Sequence, residues 1–152
     1  MRAKSSYTKL REQIADIRVA MLTTVDEFGD LRSRPMATLE IGDDGDLWFF
    51  TRCDAPKVEE TEREHRVNVA YAAPPSHRYV SVSGLAQLVH DREKLRRLWR
   101  PAHRLYFPDG PDDPALALLC VTPKFAEFWC TPPTLLGRAV HLLRTALAGQ
   151  SP

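Results

Sequence analysis

A chain of 152 residues with 43% hydrophobic and 27% charged content has the length of one domain and the make-up of an ordinary globular protein. Such a chain can bury roughly two-thirds of its unfolded surface. The formal net charge of +1 excludes a nucleic-acid binder that works through a broad basic field. No apolar run reaches the length of a membrane span and no signal peptide opens the chain, so no membrane partner is expected.

Along the chain, the first expected element is an amphipathic helix from about residue 6 to 17, because Leu10, Ile14 and Ile17 fall at i, i+4 and i+7. Residues 18–25 are rich in β-formers and turn at Asp26-Glu27-Phe28-Gly29-Asp30, a hairpin signal. A strand over 31–40 follows, in which Pro35 demands an edge, a bulge or an irregular position. Gly42 to Asp46 is a turn, and 47–51 a short, largely buried strand. Pro56 suits the first position of a helix running to about residue 64, where its missing N–H would be unpaired anyway.

Residues 66–72 and 78–90 read as two more strands around Pro74-Pro75. In the second, Tyr79, Ser81 and Ser83 share one face and Val80 and Val82 the other. Asp91 reads as the N-cap of a helix over 92–100. The proline- and aspartate-rich stretch 101–114 is expected to be irregular. Residues 115–121 and 125–130 are read as a last hairpin joined through Thr122-Pro123-Lys124. A final helix is expected over 134–148, with Leu135, Leu142, Leu143 and Ala146 as a partial apolar stripe.

Six or seven short strands with helices inserted rather than alternating predict a mainly β fold with flanking helices. A closed or nearly closed antiparallel barrel and an open α+β sheet both satisfy that count. Cys53, Cys120 and Cys130 form no metal spacing and cannot all pair within one chain, which fits a reducing cytoplasm. The histidines show neither metal spacing nor the order of a catalytic triad.

One stretch carries chemistry. Arg32 and Arg34 lie on one face of a strand by period-2 geometry. Lys57 falls in the first turn of a helix, where a cation is disfavoured unless an anion is near. Together they make a cradle for a phosphorylated ligand, although paired arginines on a half-exposed strand are more often a solvated face or an edge guard than a site.

Arg34-Pro35-Met36, Leu47-Trp48-Phe49-Phe50-Thr51 and Lys57 resemble the flavin-binding hairpin of the pyridoxamine 5′-phosphate oxidase-like split-barrel family, in particular its short general stress protein 26 branch. The similarity spans roughly residues 15 to 130. It continues through Val67-Asn68-Val69-Ala70-Tyr71, through 79–86, Leu98-Trp99-Arg100-Pro101, the Tyr106-Phe107-Pro108 to Pro114 segment, and Ala126-Glu127-Phe128-Trp129. The resemblance implies a six- to seven-stranded antiparallel split β-barrel in a single domain over 1–152. It also implies a homodimer holding flavin mononucleotide (FMN) at the subunit interface.

The same resemblance sets Ser33, Arg34 and Met36 along the cofactor and Phe50 and Thr51 at its ring, partly through backbone. It sets Lys57 at the phosphate, Tyr79 at a polar cofactor contact, and Trp129 near the ring of the flavin in the partner subunit. Two departures separate this chain from true pyridoxamine 5′-phosphate oxidases, which tend to carry serine where Ala55 stands and lysine where Leu39 stands. Their closing arginine and histidine also find no counterpart after Trp129, since a solvated helix face accounts for His141 and Arg144. The expected activity is therefore flavin-dependent oxidoreduction on another substrate, not vitamin B6 oxidation. A non-catalytic flavin-binding stress protein, or a binder of FAD or of a deazaflavin such as F420, is the alternative.

Overall fold

The computed structural model describes the backbone of residues 2–130 and 141–146 and the side chains of residues 6–130. In chain order the elements are α1 (Arg2–Ile14), β1 (Val19–Val25), β2 (Leu31–Ala37), β3 (Glu40–Ile41), β4 (Leu47–Arg52), α2 (Pro56–Arg63), β5 (Arg66–Ala73), β6 (Arg78–Val89), α3 (Arg92–Leu98), β7 (Leu116–Cys130) and β8 (His141–Ala146). Short 3-10 turns occupy Pro74–Ser76 and Pro101–Leu105. All eight strands belong to one sheet in the order β2-β1-β5-β6-β7-β4-β3, with β8 also on β7. Every pairing is antiparallel.

The sheet curls into a half-barrel of the split-barrel kind. Its two ends are joined by a two-residue crossing between β2 and β3. There the Thr38 N–H donates to the Arg18 carbonyl (3.2 Å) and the Leu39 N–H to the Trp48 carbonyl (2.8 Å), one bond to each end of the strand order. Inside the curl lie Leu22, Phe49, Val69, Tyr71, Val82 and Phe128, with Leu10 and Ile14 of α1 packed among them. The Tyr71 hydroxyl, pushed up to about 12 by burial, bonds Thr38 Oγ1 at 2.8 Å. A second apolar cluster lies under α3, where Leu95 covers Leu116, Leu118 and Phe50.

Several expectations hold in detail. Pro35 sits in β2, which among the described residues pairs with β1 alone at one end of the strand order and so tolerates the missing N–H. The Asp91 carboxylate accepts the Lys94 N–H at 3.0 Å as the cap of α3. Val80 and Val82 are buried while Tyr79 and Ser83 face outward.

Three expectations need correction. The first helix begins at Arg2 and stops at Ile14, where the Ile17 N–H closes back on the Ile14 carbonyl at 2.9 Å. The expected last hairpin is one long strand, β7. Thr122-Pro123-Lys124 is a bulge, because β6 pairs Ser83 with Phe125 but Gly84 with Pro123, leaving Lys124 unmatched. Bulges accept proline and an extra residue without ending a strand. The third correction concerns the end of the chain: His141–Ala146, expected as helix, form β8 against Phe125–Cys130. A free strand edge offers this segment a full ladder of backbone partners, and that outweighs its modest helix preference. Residues 134–140 and 147–148 of that expected helix lie outside the described residues.

Candidate functional site

α2 packs against β1 and β6 and so brings its first turn beside the β1–β2 hairpin. Between them opens a cleft of about 560 Å³, lined by Ser33 and Arg34 of β2, by Lys57 and Glu60 of α2, and by Ala55 and Pro56. Asp26, Glu27, Phe28, Arg32, Glu59 and Arg63 complete the rim. The hairpin tip is built around Asp26. Its carboxylate accepts the Phe28 and Asp30 N–H groups, each at 2.9 Å, and the Arg32 guanidinium at 3.0 Å. Arg32 holds that carboxyl below the usual range. Gly29, at φ 83°, supplies the left-handed residue that the turn needs.

At the cleft floor Arg34 donates to Glu60 Oε2 at 2.9 Å and to Thr24 Oγ1 at 2.5 Å, and Thr24 Oγ1 in turn donates to Glu60. The triangle is well covered: the Arg34 and Glu60 side chains are 23% and 12% exposed, and Thr24 is wholly buried. Lys57 stands beside it. Burial, and then the Arg34 guanidinium, push its ammonium below the ordinary lysine range, while Glu60 opposes that shift. Ala55 offers no side-chain cap to α2, so the start of that helix favours a negative group.

Of the residues proposed from sequence, Arg34 and Lys57 therefore meet in one cleft; Ser33 borders it, but its hydroxyl lies on the outer side of the sheet, 2.7 Å from Thr23 Oγ1. Met36 is 8% exposed and packs within the main core. Phe50 lies in the second cluster, edge-on to His103 at 5.0 Å and 5.7 Å from Trp99. Burial lowers the basicity of His103, and its Nδ1 accepts the Arg100 N–H at 2.9 Å. Thr51 is buried and directs its hydroxyl to the Arg52 carbonyl. Tyr79 and Trp129 face each other across β6 and β7 on the outer side of the sheet.

Glu60 and Thr24 escaped the sequence reading. A signal for Glu60 exists: it lies three residues after Lys57, one helical turn on and on the same face. Thr24 carries no such signal, since its role depends on strand pairing.

The outer face of the sheet combines a polar row with several exposed apolar side chains. Across β2, β1, β5 and β6 the rows Pro35-Met21-Ala70-Ser81 and Ser33-Thr23-Asn68-Ser83 lie side by side. Leu31, Val19, Met21, Tyr79 and Leu85 are 74%, 54%, 42%, 41% and 39% exposed on that face. A groove of about 460 Å³ runs past Thr23, Val25, Leu31 and Leu85. Among the described residues, no cluster of acidic, histidine or cysteine side chains could hold a metal ion, and no helix is long and apolar enough to cross a membrane.

With this geometry in place, comparison with known proteins is informative. The model of the family described as pyridoxamine 5′-phosphate oxidase like matches residues 5–152. The chain belongs to that family. Among solved structures of the pyridoxamine 5′-phosphate oxidase-like fold, it is similar to the general stress FMN/FAD binding protein of Xanthomonas citri. That pair shares 29% identity and a TM-score of 0.68, over 93% of this chain and 97% of the other. A protein related to general stress protein 26 from Clostridium acetobutylicum superimposes with a TM-score of 0.77 at 18% identity, over 95% and 96% of the two chains; this likeness is one of fold. Protein bli-3 of Neurospora crassa is 26% identical over 143 residues, covering 88% of this chain and 68% of its own.

Proposed function

We propose that this chain binds a flavin by its phosphate in the Arg34–Lys57 cleft and acts as a flavin-dependent oxidoreductase. The observation that carries this reading is the meeting of two cations from distant elements, Arg34 of β2 and Lys57 of α2, beside an uncapped helix start. A cleft of about 560 Å³ lies within the usual range for a small ligand. Its donors, a guanidinium and an ammonium, suit a phosphate end. Family membership and the flavin-binding Xanthomonas citri relative point the same way, and FMN is the flavin we favour. When bound, a flavin supplies hydride or electron transfer by its own ring chemistry, so the chain's task is to bind, orient and shield.

We further propose a homodimer formed through the outer sheet face. Exposed Leu31, Val19, Met21 and Leu85 would be covered there, as contiguous exposed apolar patches usually are. Tyr79 and Trp129 lie on the same face, which is where a flavin shared between subunits would meet them. A cytoplasmic setting suits three free cysteines.

Titration of the purified protein with FMN and riboflavin tests the cleft. Lys57→Ala is expected to weaken FMN binding by about tenfold, the value of one charge-assisted contact, and to leave riboflavin binding unchanged. Equal losses for both ligands would remove Lys57 from the phosphate site. The affinity should also depend on pH with a definite sign. Because burial lowers the Lys57 basicity, its positive charge is lost on the alkaline side at a lower pH than for an ordinary lysine. FMN affinity, measured relative to riboflavin, should fall there in the wild type and stay flat in Lys57→Ala. Steady oxidation of a reduced nicotinamide cofactor by the flavin-loaded protein with an added electron acceptor supports the enzyme; a bound flavin that resists reduction by nicotinamides supports a binding protein.

A further inference from the structure

The cleft is balanced in charge, with four carboxylates against four cations on its walls. Two of the cations are already matched: Arg32 by Asp26 at 3.0 Å and Arg34 by Glu60 at 2.9 Å. The second match is a built one. Thr24, fully buried, bonds both Arg34 and Glu60, so the carboxylate is fixed on the guanidinium from a third direction. A carboxylate oxygen on a guanidinium N–H is the same charge-assisted contact a phosphate oxygen would make. Glu60 therefore occupies the position on Arg34 that an incoming phosphate would compete for. It also reaches Lys57 electrostatically, opposing the influence of Arg34 there.

Ligand charge decides what such a wall accepts. A phosphomonoester at neutral pH carries between about 1.5 and 2 negative charges, with its second ionisation near pH 6. A phosphate held beside a fixed carboxylate is repelled in proportion to its own charge.

We infer that Glu60 is a built-in competitor for the flavin phosphate, holding Arg34 with its own carboxylate and so making the cleft bind FMN less tightly than Arg34 and Lys57 alone would allow. The inference rests on the reading that the cleft holds a flavin phosphate. It assigns to Glu60 a role in setting affinity rather than a contact with the reacting ring.

The test titrates FMN and riboflavin against the wild type and Glu60→Gln at fixed ionic strength, with the thermal midpoint of each protein recorded. Glutamine keeps an oxygen for Arg34 and Thr24 and removes the charge. Binding of FMN is expected to tighten about tenfold, with riboflavin unchanged. Equal tightening of both ligands, no change, or weakened FMN binding by a folded Glu60→Gln would each overturn the role of Glu60 while leaving flavin binding intact. Failure of the wild type to bind either ligand overturns the cleft reading itself.

Discussion

Gly84→Ala is expected to destabilise the protein by about 3 kcal/mol, at the upper end of what an added methyl group costs in a packed interior. The reason lies in the bulge between β6 and β7. A Cβ on Gly84 would sit 2.4 Å from the Thr122 carbonyl oxygen and 3.0 Å from its carbon, with the Pro123 Cα at 3.2 Å. All three neighbours are backbone, so no side chain can swing aside. Relief requires the two strands to part where Lys124 is already unmatched, in the longest pairing of the sheet. Urea unfolding followed by tryptophan fluorescence measures the loss as a shift in midpoint at constant slope. An alanine variant as stable as the wild type would mean that the bulge yields at no cost.

Arg34→Ala should cost about 2 kcal/mol, somewhat less than a fully buried ion pair because Arg34 keeps 23% exposure. The loss comes from stranding Glu60, which is 12% exposed and would keep Thr24 as its neutral partner. If stranding is the cause, Glu60→Gln on the Arg34→Ala background should recover about 1 kcal/mol or more, since a neutral amide needs no countercharge. A double-mutant cycle by urea unfolding reads that coupling directly. Strict additivity of the two changes would show that the pair contributes nothing to stability and serves the ligand alone.

Local signals in the sequence were reliable wherever the cause was itself local. Asp91 caps α3, Pro56 opens α2, and the alternation from Tyr79 to Ser83 splits between core and surface, each following from chemistry within a few residues. Readings that depended on distant strands fared otherwise. Thr122-Pro123-Lys124 has the composition of a turn, yet pairing with Gly84 carries the strand through it. His141–Ala146 has helix-compatible residues, yet an available edge of β7 claims it. The cleft divides in the same way. Arg34 and Lys57 could be linked from residue type, helix position and family pattern. That Met36 fills the core while Arg34, on the same face of β2, lines the cleft depends on how the sheet curls. The triangle of Arg34, Glu60 and Thr24 joins three separate elements, and no sequence window contains it.

The crossing at Thr38 and Leu39 has a mechanical meaning. Arg34 belongs to the strand that begins the order, and Lys57 follows the strand next to its far end. The sheet is thus a band whose two ends are held by a clasp of two residues. The cleft opens at the hairpin end of β2, away from the clasp, so a ligand gripped by both cations would pin the other end of that strand to the start of α2.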